Sequence, residues 1–115
     1  RKLLKPVAKM QGGEGTAMYR RALTPEVFFT NWSYVDHVLL APGTSIGAHR
    51  HEGVEEFYYV MSGKGTAEVN KETAPIAKGD AVPVFLGETH AFRNTGTEPL
   101  ELMVVGVARQ KWALD

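Results

Sequence analysis

The chain contains no cysteine among its 115 residues. It can therefore form no disulfide and offers no thiolate, so any metal would have to be held by nitrogen and oxygen atoms. Basic residues show no excess, since Lys and Arg total 13 and Asp and Glu also total 13, and this balance argues against nucleic acid as a partner. No apolar run approaches the roughly 18 residues that a transmembrane helix requires, so we expect no membrane partner.

The length predicts one domain. We expect a flexible N-terminal arm over residues 1–17, where lysines, Pro6 and several glycines leave no periodic pattern, followed by a single barrel domain over residues 18–115. A soluble, cytoplasmic protein is expected. Because the chain begins at Arg1 rather than at methionine, a cleaved signal peptide, and with it a secreted or periplasmic protein, stays open.

Short apolar or alternating segments recur between turns that contain glycine and proline, which is typical of an all-β barrel or sandwich. The predicted strands are 18–23, 31–40, 45–51, 54–61, 66–69, 81–85, 90–94 and 100–107. At most short helical turns are expected, within residues 24–29 and in the C-terminal tail. Pro83 cannot donate a ladder hydrogen bond, so its strand should be an edge strand or contain a bulge.

Two histidines, His49 and His51, stand one residue apart in a predicted strand. Residues i and i+2 of a strand share a face, so both imidazoles should point the same way. A hairpin at Glu52 and Gly53 would bring the next strand alongside, and a glutamate near its start could then meet the two rings. Two imidazoles and a carboxylate that converge in this way predict a divalent-metal site.

The spacing of these residues resembles the first motif of the cupin superfamily. That motif is matched by Gly43, His49, His51, Glu56 and Gly63, and the second by Gly79, Asp80, Gly87, His90 and Asn94. The resemblance covers residues 35–107 and implies a jelly-roll barrel, also called a double-stranded β-helix. Phe85 stands where the family usually has proline, which predicts a loop before His90 that is less rigid or differently packed.

The resemblance implies four ligands to one divalent transition metal: His49, His51, Glu56 and His90. His90 would reach the site from a strand across the barrel. Glu55 and Glu56 point to opposite faces of their strand. The alternation pattern does not decide between them, because the neighbouring residues on both faces are apolar. The interval to Gly63 favours Glu56. Iron, manganese, nickel, copper and zinc all stay open, because affinity order does not fix which metal a cell supplies.

Three further residues, Tyr58, Phe92 and His37, are candidates for the lining of the pocket. Tyr58 lies on the same face of the predicted strand as Glu56, so it can line the pocket, and packing in the core is an equal alternative. His37 matches no motif, and the competing interpretation is a strand histidine with a local hydrogen bond. The sequence assigns no catalytic residue.

The resemblance implies a metal-binding small cupin, a metalloenzyme of the dioxygenase, isomerase or lyase type that acts on a small polar organic molecule. The alternative is a non-catalytic module that binds a small ligand or sugar. A homodimer is also implied, for which Phe28, Phe29 and Trp32 offer apolar surface.

Overall fold

The computed structural model describes residues 4–24, 26 and 31–109. The strands in this part of the chain are β1 (Lys5–Ala8), β2 (Thr16–Leu23), β3 (Trp32–Leu40), β4 (Ser45–Arg50), β5 (Val54–Ser62), β6 (Lys64–Val69), β7 (Glu72–Ala77), β8 (Ala81–Val84), β9 (Thr89–Arg93) and β10 (Leu100–Ala108). A short 3₁₀ turn, Met10–Gly12, lies between β1 and β2. Within the described residues, no helix is long and apolar enough to cross a membrane.

All strand pairs are antiparallel and form two sheets. The larger sheet has the order β1-β2-β3-β10-β5-β8, and the smaller has the order β4-β9-β6-β7. Buried apolar side chains of both sheets form one core, including Val38, Leu40, Val60 and Leu102 from the larger sheet and Ile46, Ala67 and Phe92 from the smaller. This arrangement confirms the prediction of an all-β jelly roll.

The predicted hairpin between β4 and β5 is wrong. Strand β4 pairs with β9 in the smaller sheet, whereas β5 lies between β10 and β8 in the larger one. The turn at Glu52 and Gly53 therefore carries the chain from one sheet to the other. Alternation along a strand specifies which face a side chain takes, but it contains no information about which strand lies alongside.

Part of the segment predicted as a flexible arm is a strand. Residues 5–8 form β1, which pairs with β2 along its whole length. The 3₁₀ turn that follows lies directly on β4, where a Cβ added to Gly47 would overlap the backbone of residues 11–13. The sequence pattern missed β1 because a short, mostly exposed edge strand has no apolar alternation to detect.

Three prolines in the described residues lie on edge strands, as their missing N–H requires, and the first is Pro6 in β1. Pro83 is in β8, at one edge of the larger sheet, which confirms the prediction for that strand. Pro75 is in β7, an edge strand of the smaller sheet that was not predicted because five of its six residues are exposed. Of the helical turn predicted within residues 24–29, only residues 24 and 26 are among the described residues, and the tail from residue 110 lies outside them.

Candidate metal centre

The four residues that the two motifs single out lie together. One ligand atom from each of His49, His51, Glu56 and His90 falls within 4.8 Å of the others. The position of His90 differs from the prediction, because β9 is the neighbour of β4 and His49 and His90 are register partners. Glu56 is the residue that arrives from the opposite sheet, on β5.

Backbone carbonyls orient two of the rings. Nδ1 of His49 lies 2.8 Å from the Gly47 carbonyl oxygen, and Nδ1 of His90 lies 3.2 Å from that of Glu88. A carbonyl oxygen only accepts hydrogen bonds, so each Nδ1 is the protonated nitrogen. The lone pair of a neutral imidazole then lies on Nε2, which is the arrangement found in histidines that bind metals.

Glu56 is buried at the centre of the cluster, with 8% of its surface exposed. The phenol of Tyr34 donates to its Oε2, and the phenol of Tyr58 donates to its Oε1 over 3.0 Å. Oε1 also faces the Nε2 atoms of His90 and His51, at 3.0 and 3.5 Å. The neighbouring carboxylate, Glu55, is exposed, so the structure brings Glu56 and not Glu55 to the cluster.

The donor set fits a cation. Since Nδ1 of His90 carries the ring proton, Nε2 of a neutral His90 presents a lone pair to a carboxylate oxygen only 3.0 Å away. Two electron-rich atoms at that distance repel each other unless a proton or a metal ion lies between them. Three imidazole nitrogens and a carboxylate suit a first-row divalent metal, so the cluster can hold one such ion.

Burial and hydrogen bonding shift the pKa values of this cluster. Burial lowers the pKa of His49 to about 4, and the neighbouring His90 and His51 act in the same direction. Burial alone would raise the pKa of Glu56, but the neighbouring His90 and His51 rings and the hydrogen bond from Tyr34 outweigh it and lower that pKa below its ordinary value. A neutral imidazole and an ionised carboxylate are the protonation states that bind a metal.

Burial, together with the charge of Glu56, raises the pKa of both Tyr34 and Tyr58 well above the usual value for a phenol. Both phenols therefore keep their protons and remain donors to the Glu56 carboxylate. They fix its orientation, which is the usual role of hydrogen-bonding partners around a metal ligand.

The cluster opens into a cavity of about 320 Å³ between the two sheets, lined by Tyr58 among others. Phe92, a second candidate for the lining, is 1% exposed and stacks on Tyr58 with 4.0 Å between the ring centroids, so it supports the wall from within the core. His37 is not among the residues that line this cavity. Its Nε2 contacts Glu101 at 2.5 Å, on the outer face of the larger sheet.

The turn before His90 is held without the proline that the family usually has. The backbone N–H of Phe85 donates to the Glu88 carboxylate over 2.7 Å, a bond that proline could not make. At the tip of the same turn, the N–H of Gly87 donates to the carbonyl oxygen of His51 over 2.9 Å. The turn therefore ties His51, which directly follows β4, to the segment that leads into β9 and His90, although Phe85 itself is exposed.

Sequence reasoning missed the polar residues on the far side of the cavity. Arg21, Asp36 and Tyr19 line it together with Tyr34. Alternation along residues 31–40 puts Tyr34 and Asp36 on one face, but both faces of that segment are largely apolar, so the pattern gives no reason to choose these two residues. No pattern in the sequence pointed to Arg21, because β2 pairs with β3 only in the folded chain.

The two packed sheets and the three-histidine, one-glutamate cluster define a β-barrel protein with a site that could hold one metal ion. The sequence model of the cupin domain matches residues 36–106, and the chain belongs to the cupin family.

Relatives and solved structures agree with this assignment. The chain is 34% identical over 99 residues to a Thermotoga maritima protein named oxalate-binding protein, an alignment that covers 86% of this chain and 82% of the relative. It is 29% identical to the tetracenomycin polyketide synthase protein TcmJ of Streptomyces glaucescens, over 81% of this chain and 60% of that protein. A crystal structure from T. maritima, described as a predicted oxalate decarboxylase, superposes with a TM-score of 0.88 at 32% identity and covers 91% of both chains.

Proposed function

We propose that this protein binds one divalent transition metal through His49, His51, Glu56 and His90, and that a small polar organic molecule binds and reacts at that metal. The observation that carries the proposal is the convergence of the four ligand atoms within 4.8 Å at the wall of a cavity between the sheets. A buried carboxylate that faces imidazole lone pairs is best explained by a cation between them.

The cavity suits a reaction site. Four protein ligands leave positions open on a six-coordinate ion, and an open position distinguishes catalytic from structural metal sites. When bound, such an ion acts as a Lewis acid or, if it is redox-active, supports oxygen chemistry. The chain's own residues would supply its fixed ligand geometry, the phenols that orient Glu56, and a cavity large enough for a compact molecule. We propose that the protein is a dioxygenase, an isomerase or a lyase.

A non-catalytic function is the second candidate, and one observation favours it. The T. maritima relative with 34% identity is named a binding protein for oxalate, whereas the structural neighbour from that organism is described as a predicted decarboxylase. Both names support a small carboxylate as the ligand, and we propose oxalate as the first compound to test. They differ on whether it reacts.

Metal content after substitution tests the metal site. We expect about one divalent metal ion per chain in the purified protein, and loss of most of it in Glu56→Gln and in His51→Ala. Glu56→Gln preserves the side-chain volume, so a loss reports on ligation rather than on packing. The measurement is elemental analysis by mass spectrometry after dialysis against metal-free buffer.

The fourth histidine provides the matched control. His37→Ala removes an imidazole on the outer face of the sheet, away from the cavity, and should leave the metal content unchanged. If His37→Ala lost as much metal as Glu56→Gln, or if the wild-type protein held no divalent metal, the proposed site would be wrong. Oxalate binding measured by calorimetry, together with disappearance of oxalate over time, then distinguishes the enzyme from the binding module.

A further inference from the structure

The cavity is lined by a second set of charged residues besides the four clustered ones. Nε of Arg21 lies 2.9 Å from Oδ1 of Asp36, and one Nη of Arg21 lies 3.2 Å from Oδ2. The guanidinium carbon is 4.0 Å from the ring centroid of Tyr34. All three residues line the cavity that the metal cluster opens into.

Only one partner of this pair is buried: 8% of the Asp36 side chain is exposed, against 33% of Arg21. Taking a carboxylate out of water costs free energy that its attraction to a cation often fails to return. Burial raises the pKa of Asp36 above its ordinary value even though hydrogen bonds from Arg21 oppose the shift. The burial of Asp36 is therefore only partly compensated, which suggests a role in the cavity rather than in the core.

Asp36 and Tyr34 together hold the guanidinium in one orientation. Asp36 engages the edge that carries Nε, and the Tyr34 ring covers one face of the plane. The two Nη atoms form the other edge of the fork, which matches the geometry of a carboxylate. Because the Tyr34 phenol donates to Glu56, Arg21 lies one aromatic ring away from the metal cluster.

We propose that Arg21, positioned by Asp36, binds the distal carboxylate of a small organic diacid whose other end occupies the metal site. This inference rests on the proposed function, since it places the near end of the ligand on the metal. Charge in the cavity supports an anion. A divalent ion outweighs the charge of Glu56, whereas the pairs Arg21–Asp36 and Arg50–Glu52, at 2.9 Å each, add no net charge.

The first test uses the wild-type protein. Metal-loaded protein is titrated calorimetrically with oxalate, malonate and succinate, and in parallel with the monoamide of each acid. The monoamides keep one carboxylate for the metal but lose the charge at the distal end. We expect at least one diacid to bind about tenfold or more tightly than its monoamide. If no diacid bound, or if no diacid were preferred over its monoamide, the proposal would be overturned.

The second test removes Arg21, the proposed binding group for the distal carboxylate. Arg21→Met alone would leave the buried Asp36 carboxylate without a cation, with only the Tyr19 phenol as a donor at 3.3 Å, so the informative variant is the double substitution Arg21→Met/Asp36→Asn. It should weaken the preferred diacid by about 10–100-fold while changing the affinity for the monoamide little. Arg20→Met is the control, because it removes the same charge from the adjacent residue, whose register partner is His37 on the outer face. Wild-type diacid affinity in the double variant would contradict the proposal.

Metal content is measured in every sample. Retained metal together with a lost diacid preference supports the role of Arg21, whereas a wild-type protein without metal would count against the proposed function itself. If circular dichroism shows that the double variant is unfolded, Arg21→Lys replaces it. Lysine keeps the positive charge but lacks the planar guanidinium with its paired N–H donors. The preference of Arg21→Lys for the diacid over its monoamide should therefore be weaker than that of the wild type, but not absent. An unchanged preference in Arg21→Lys, where the double variant cannot be used, would overturn the inference.

Discussion

At the scale of single residues, the orientation of two of the imidazoles is set by a carbonyl two residues earlier in the chain. His49 bonds to Gly47 and His90 to Glu88, in the same i to i−2 relation on two different strands. Both rings thereby present Nε2 to the same point. Because His49 is held neutral by burial, the free energy of unfolding of the metal-free protein depends on pH.

The stability of the metal-free protein should therefore fall as the pH is lowered through the histidine range. Burial lowers the pKa of His49 to about 4 in the folded protein, whereas an imidazole in the unfolded chain titrates near about 6.5. Between these values the unfolded chain binds a proton that the folded chain does not, so the free energy of unfolding decreases as the pH falls. Glu56, whose pKa is lowered, adds a further loss only below the ordinary glutamate range.

The measurement is the melting temperature in the presence of a chelator, at several pH values between 7 and 4. His49→Gln cannot take up the proton, so its melting temperature should depend less on pH than that of the wild type across this window. The same slope in both proteins would show that His49 is not the group responsible.

At the scale of elements, the position of Glu56 depends on close contact between β3 and β10. Gly106 of β10 is the register partner of Tyr34, and a Cβ added to Gly106 would overlap the ring carbons of Tyr34. The absence of a side chain at Gly106 allows the phenol to lie over the strand and reach Glu56. Gly106 of β10 thus allows Tyr34 of β3 to orient Glu56 of β5.

Gly106→Ala should displace the Tyr34 ring. We expect the free energy of unfolding to fall by about 1–3 kcal/mol, the usual cost of inserting a methyl group into a filled space, and the metal affinity to fall because Glu56 loses a hydrogen bond. Chemical denaturation and metal titration measure the two effects. In a Tyr34→Leu background the same substitution should cost less, because the ring is gone. An equal cost in both backgrounds would contradict this account.

At the scale of the whole molecule, the outer face of the larger sheet is unusually apolar. Trp32, Tyr59 and Met61 are exposed by 42%, 38% and 41%, respectively. Large apolar side chains grouped on one face of a soluble protein indicate a surface that binds another molecule. We propose that a second copy of the chain covers this face, as the family resemblance also implied. Phe28 and Phe29, named with Trp32 in that prediction, lie outside the described residues.

A homodimer should have twice the chain mass of 12.6 kDa in light scattering at micromolar concentration. Tyr59→Glu places a charge on the outer face and should shift the protein towards the monomer. Thr73→Glu adds the same charge on an exposed position of β7, in the other sheet, and should leave the mass unchanged. If the wild-type protein had the mass of one chain in light scattering, the proposed dimer would be wrong.

The sequence by itself was enough to predict the fold class and the four clustered residues. Fold class follows from short strands between glycine and proline turns, and the cluster follows from the intervals between His49, His51, Glu56 and His90. Both are local properties, since alternation and turn spacing act over a few residues and the family motifs record intervals along the chain. The choice of Glu56 over Glu55 also came from an interval, because parity alone did not decide it.

Only the tertiary structure decided which strands are neighbours, and therefore what surrounds the cluster. It placed β4 beside β9 instead of β5, moved His37 to the outer face, and brought Arg21 to the cavity through the pairing of β2 with β3. Strand pairing is a long-range choice, set by how two apolar faces can be buried together and not by the residues of either strand alone. The four clustered residues could be identified from the sequence because they belong to the two motifs. Arg21, the proposed partner of a bound diacid, could be identified only from the pairing of strands in the folded chain.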